Sequence, residues 1–148
     1  MTPKIAHEPL QRLLDYWNDK RAGRKAPARA DIDPADIPAL LPWIGLGEIV
    51  GDPPRVRARL LGSEVESLYG VTFHGQYLDQ EDMNDHRVEI LKEYATAIRT
   101  MEPVVGQWEF TKHDGRHIAY ERIILPLSSD GETVDMLLAG WAFDKSWQ

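Results

Sequence analysis

At 148 residues, 43% hydrophobic and 9% aromatic, the chain is long enough for one core and too apolar for a disordered segment. The absence of cysteine excludes disulfides, thiolate metal sites and thiol nucleophiles, and no apolar run approaches the roughly 20 residues that span a bilayer. A net charge of −7 divides into +4 over residues 1–30 (seven Lys/Arg against three acids) and hence −11 over the rest, which disfavours non-specific binding to nucleic acid or anionic lipid. The opening Met-Thr-Pro-Lys-Ile-Ala-His-Glu lacks the apolar stretch of a signal peptide, so a cytoplasmic location is expected.

Leu10, Leu13, Leu14 and Trp17 recur at helical spacing and predict an amphipathic helix over 8–21, ended near Gly23. That stripe must be covered, either by its own sheet or by a second copy. The basic stretch Lys20–Arg29 has no interleaved aromatics and reads as a solvated linker, not a nucleic-acid patch. Asp33 and Pro34 form a cap-plus-N1 pair that starts a short helix, which Pro42 ends. A hairpin follows, with strands over 44–50 and 55–61. In its second arm Arg55, Arg57 and Arg59 alternate with Val56, Ala58 and Leu60, the pattern of an edge strand with one wet face. Ser63 and Glu66 form a capping-box pair for a short helix through Tyr69, and residues 70–80 are irregular. The longest helix is expected over 84–101, facing inward with Val88, Leu91, Ala95, Ile98 and Met101.

The last third reads as a three-strand meander over 104–113, 116–127 and 134–143, turned at Asp114-Gly115 and Asp130-Gly131. With a two-residue type I′ turn, His113 pairs Arg116. Trp108, Phe110, Ala119, Ile123 and Leu125 then share one face, while Ile118, Tyr120, Arg122 and Ile124 share the other. Met136–Phe143 contains no polar side chain, so both its faces are covered and the last strand sits inside the sheet, beside the first.

Specific catalytic signatures are missing. His113 and His117 are four apart but fall on opposite faces of a hairpin, which argues against a metal site. Glu81, Asp82 and Asp85 suit the first turn of a helix as simply as an acid–base set with His86. Neither Ser63 nor the glycines fit a nucleophile elbow, phosphate loop or dinucleotide fingerprint. The better clue is a polar group set among aromatics, since an Arg or Tyr in an apolar sheet face can orient a small ligand. Five Trp in so short a chain point the same way, to a densely aromatic interior or pocket.

The element order is that of the PAS fold, an α+β architecture with a five-stranded antiparallel sheet in the order 2-1-5-4-3. The sequence also resembles a bacterial stand-alone PAS-like family. The resemblance runs through Leu14-x-Tyr16-Trp17, Arg29-x-Asp31-Ile32-Asp33-Pro34-x-Asp36-Ile37 and Leu41-Pro42. It continues in Arg57-x-Arg59-Leu60-x-Gly62-Ser63, in Gly70 and Gly75, and in Leu125-Pro126-Leu127 with Asp130-Gly131. Residues 1–30 then form an N-terminal helix and basic linker ahead of a sensory domain over 31–148. The resemblance implies a non-enzymatic signalling domain that binds a small molecule or a partner protein, and it carries over no catalytic residues. Without cysteine, the covalent chemistries of blue-light flavin and cinnamoyl sensors are excluded, and His86 is the one candidate haem ligand; the cofactor stays unassigned. With no effector fused, a signalling partner acts in trans. A ligand is expected between the sheet and the long helix, touched by Tyr94, Tyr120, Arg122 and Trp141. A homodimer through Leu10, Leu13, Leu14 and Trp17 is expected as well, since PAS-like domains often pair N-terminal helices. The alternative from another class is a small α+β cavity enzyme using His86 or His74 with Asp82 or Asp85.

Overall fold

A computed structural model describes residues 4–69, 75–80, 86–111 and 114–143. Helix α1 (Glu8–Arg21) leads into three short 3-10 turns, the second of them Pro34–Asp36, whose Ala35 N–H is accepted by the Asp33 side chain at 3.0 Å. Strands β1 (Ile44–Val50) and β2 (Arg55–Leu61) follow, then helix α2 (Ser63–Tyr69), helix α3 (Arg87–Thr100), and β3 (Val104–Thr111), β4 (His117–Leu127) and β5 (Met136–Phe143). All pairings are antiparallel and the sheet order is β2-β1-β5-β4-β3. As its apolar sequence requires, β5 lies between β1 and β4, with Leu137 and Leu138 fully covered.

Both Asp-Gly loops depart from the type I′ expectation. Type I′ needs φ > 0 at both central residues, yet only the glycines have it: Gly115 at 86° and Gly131 at 78°. Each aspartate instead holds its loop with its carboxylate. Asp114 accepts the Arg116 N–H, and Asp130 accepts those of Glu132 and Thr133. The first loop is therefore one residue longer between paired positions, and Thr111, not Lys112, stands opposite His117. A one-residue slip flips every side chain of a strand. Trp108 and Phe110 thus share a face with Tyr120 and Arg122, correcting the expected grouping with Ala119 and Ile123.

Two further corrections have local causes. A bulge at Leu46/Gly47 passes over Arg59, so Val56 and Ala58 are buried but Leu60 is 55% exposed. On α3 the buried stripe is Ile90, Tyr94 and Ala97, continued by Met101, not the row through Val88, which is 60% exposed. The helix is turned by about one residue because Glu93 and Tyr94 both reach the sheet.

The sheet is covered on both faces. Leu10, Leu13, Leu14 and Trp17 of α1 are 1–3% exposed and pack on the face formed by Ile123, Leu138 and Gly140. A Cβ at Gly140 would meet Leu13 Cδ2 at 2.6 Å, so glycine there lets α1 approach. The Trp17 indole N–H donates to the Pro126 carbonyl at 2.8 Å. This stripe, expected to pair with a second protomer, is spent on the chain's own sheet. In the basic stretch, Lys20 and Arg24 pair with Asp36 and Asp31 at 3.5 and 2.9 Å. Among the described residues, no helix is long and apolar enough to cross a membrane.

Candidate functional site

Beneath α3 the inner sheet face carries a buried polar cluster. Register places Arg122 of β4 directly between Gly106 of β3 and Trp141 of β5. The guanidinium donates to Glu93 of α3 and lies 4.8 Å from the centre of the Tyr94 ring. Glu93 also accepts the Trp108 indole N–H at 2.8 Å. Its carboxylate fills the space beside Gly106, where a Cβ would overlap it. Arg122 is 2% and Glu93 18% exposed, so the pair is shielded from water and fixes α3 to β3 and β4. Burial pushes the Tyr94 phenol above its ordinary range, an effect the Arg122 charge partly offsets.

Trp141 is the second feature of this face. Its ring rests over Gly45, where a Cβ would lie 3.2 Å from Cζ3. The side chain is 8% exposed and, among the described residues, its indole N–H has no acceptor. Further along, Tyr120 packs against Phe110 and Phe143 at centroid distances of 6.0 and 5.6 Å, and Trp43 closes the cluster on Phe143. Of the four expected ligand contacts, Arg122 lies between the other three: Tyr94 packs on its guanidinium, while Trp141, its neighbour on β5, shares one apolar cluster with Tyr120.

On the outer face Glu121, completely buried, holds the start of α1. Its carboxylate accepts the Ala6 N–H at 2.9 Å, the His7 N–H at 3.0 Å, His7 Nδ1 at 2.8 Å and the Gln107 amide at 2.6 Å. Burial alone would raise its pKa, but the bonds from Ala6, His7 and Gln107 together hold it below the ordinary range. Sequence reading missed Glu121 and Glu93. A signal for the first exists: Glu121-Arg122 is a charged pair inside the otherwise apolar run Ile118–Leu127, so the two must face opposite sides and each needs its own partner.

The His86 ring is tilted against Trp108 with centroids 5.3 Å apart, and among the described residues no carboxylate is hydrogen-bonded to it. The other members of the expected acid–base set, His74, Asp82 and Asp85, lie outside the described residues, as does His113. Among the described residues no cluster of His, Asp and Glu could hold a metal ion. A cleft of about 350 Å3 is lined by Gln107, Trp108 and Glu109 of β3, by Ala119 and Tyr120 opposite them on β4, and by His7 and His86.

The PAS domain family profile matches residues 5–141, α1 included. The chain belongs to the PAS domain family. Solved structures agree on the fold of this PAS domain. The Drosophila melanogaster Cycle PAS-B, solved with bound glycerol, superposes with a TM-score of 0.53 at 11% identity, covering 69% of this chain and 99% of that one. A PAS domain from Colwellia psychrerythraea gives 0.53 at 14% identity, covering 77% and 97%. The Rhodobacter sphaeroides LOV protein gives 0.54 at 10%, covering 77% and 69%. At such identities the likeness is one of fold. A comparison of the sequence with curated proteins gives no match.

Proposed function

We propose that this PAS domain is a non-enzymatic signalling module that binds a small molecule between the sheet and α3 and passes its state to a partner protein. The observation that carries this reading is the Trp141 indole N–H, buried beside Arg122 without an acceptor among the described residues. A buried donor left unmatched costs about 1–3 kcal/mol, so a small molecule bearing an acceptor gains at this position. Beside it the Arg122–Glu93 pair supplies polarity, with Tyr94 on the guanidinium and Tyr120 in the indole's own cluster as flat apolar surface, the composition expected of an orienting pocket. Entry requires α3 to shift, and α3 is the element whose anchors the ligand would contact.

Native mass spectrometry and a visible spectrum of the purified chain test the reading. The expected result is a retained non-covalent ligand, or one acquired from a metabolite panel, bound more weakly by Trp141→Phe. Binding that is indifferent to Trp141→Phe places the ligand elsewhere. Turnover of a substrate panel that disappears in His86→Ala makes the chain an enzyme instead.

A further inference from the structure

We propose that the outer edge of β3 is a docking strand that takes an extended, basic segment of a partner protein as a sixth strand of the sheet. This rests on the signalling reading above and gives it a transmission surface. The sheet has two edges, β2 and β3, and they are built differently. Along β2 run Arg55, Arg57 and Arg59, and the segment 75–80 covers the strand. Ala58 N–H donates to Gln76 O at 2.8 Å, Gly75 N–H donates to Ala58 O at 2.7 Å, and Arg55 stacks 3.8 Å over Tyr77. Charges and a covering segment are the usual means of blunting an edge against pairing.

On β3 the one charged side chain is Glu109, and among the described residues no segment is hydrogen-bonded along its outer side. Val104–Thr111 runs eight residues in unbroken register with β4, without proline, bulge, lysine or arginine, and is rich in β-prone Val, Trp, Phe and Thr. No described strand pairs with its other side. The cleft lies over the middle of β3 and its partner β4: Gln107, Glu109 and Ala119 line it with His7, and Trp108 and Tyr120 with His86. A strand laid against β3 sends alternate side chains to those two walls, which is how strand addition reads sequence.

Charge decides the occupant. Glu109 is the exposed charged side chain of β3, paired with His117 at 2.9 Å; Glu93 and Glu121 lie behind it with partners of their own, and residues 31–148 carry −11 (−7 less the +4 of residues 1–30). A basic partner is complementary to that field and a second, equally acidic copy is not. The walls also transmit. Gln107 and His7 hold Glu121 and so the start of α1, while Trp108 holds Glu93 and so α3. A strand on this edge touches both anchors at once.

Selection of random displayed peptides against the intact chain, followed by amide hydrogen exchange with the selected peptides, tests the proposal. Expected are extended, net-positive peptides that slow exchange within residues 104–111 and lose at least about tenfold in affinity on Glu109→Lys, an exposed change that reverses charge and protects the edge. Unchanged melting of Glu109→Lys confirms that the fold is intact. Failure to select any peptide, selection of peptides indifferent to Glu109→Lys, or protection confined to another strand overturns it. So does a homodimer by light scattering that Glu109→Lys dissociates, because the occupant is then a second copy. A chain that retains a small molecule but selects no such peptide keeps its sensory role and loses this surface.

Discussion

Glu121 and Arg122 are neighbours in sequence that point through opposite faces of one strand, and each is tied to a different helix. Glu121 gains its partners only on folding, so its pKa is low in the folded state and ordinary, near 4.3, in the unfolded one. The unfolded chain therefore binds more protons in acid. Stability from this group is present above about pH 4.3 and is lost as pH falls through the folded value. Glu121→Gln should lower stability by about 1–3 kcal/mol near neutral pH, because its amide sets an NH2 against donors from Ala6, His7 and Gln107. Melting temperature against pH checks this: the two proteins should converge in acid, and parallel curves would show that the carboxylate charge is unimportant. For the inner pair, Glu93→Ala leaves the Arg122 guanidinium buried and uncompensated, at a cost of about 3–5 kcal/mol. The double variant with Arg122→Met should recover much of that loss in urea unfolding, since removing both charges also removes the desolvation penalty.

At the scale of elements, helices are held by what they bury and by where glycine lets them come close. Leu13→Ala opens a gap where α1 meets Gly140 and should cost about 2–5 kcal/mol. Gly62→Ala should also be severe, because its Cβ would overlap the backbone carbonyl of Pro42, an obstacle unable to rotate away. Denaturant unfolding reads both, and a Gly62→Ala protein of unchanged stability would mean the 3-10 turn at Leu41–Trp43 yields easily. Element identity was legible in the sequence because it is written in short-range patterns: the α1 stripe, the Asp33–Pro34 start and the uninterrupted apolar run of β5. Faces were less so. The stripe on α3 is settled by a long-range partner, Glu93 reaching Arg122, and the β3–β4 register by Asp114 capping its own loop, neither of which hydrophobic periodicity encodes.

For the whole molecule, the apolar last strand revealed the sheet order, because only an interior position satisfies a strand without a polar face. Arg122 and its aromatic surroundings on the sheet were legible in the sequence, whereas Glu93 and Glu121 had no local mark of their partners across the sheet. What covers the outer face was open in the sequence, since one apolar stripe serves a chain's own sheet or a neighbour's equally well. In the folded chain α1 covers it, with Leu10, Leu13, Leu14 and Trp17 burying side chains worth roughly 1.5–3 kcal/mol each. A chain shortened to begin at Asp31 loses that cover and exposes Ile123, Leu138 and the surface around Gly140, while Glu121 on the same face loses its bonds from Ala6 and His7. An apolar face of that kind on a sheet does not stay solvated. The shortened chain should therefore self-associate or fail to fold, whereas Glu121→Gln in the intact chain only loosens the helix start. Light scattering and thermal melting decide it. A shortened chain that is monomeric and melts with the intact one would show that α1 is an appendage and that the sheet is covered by something else.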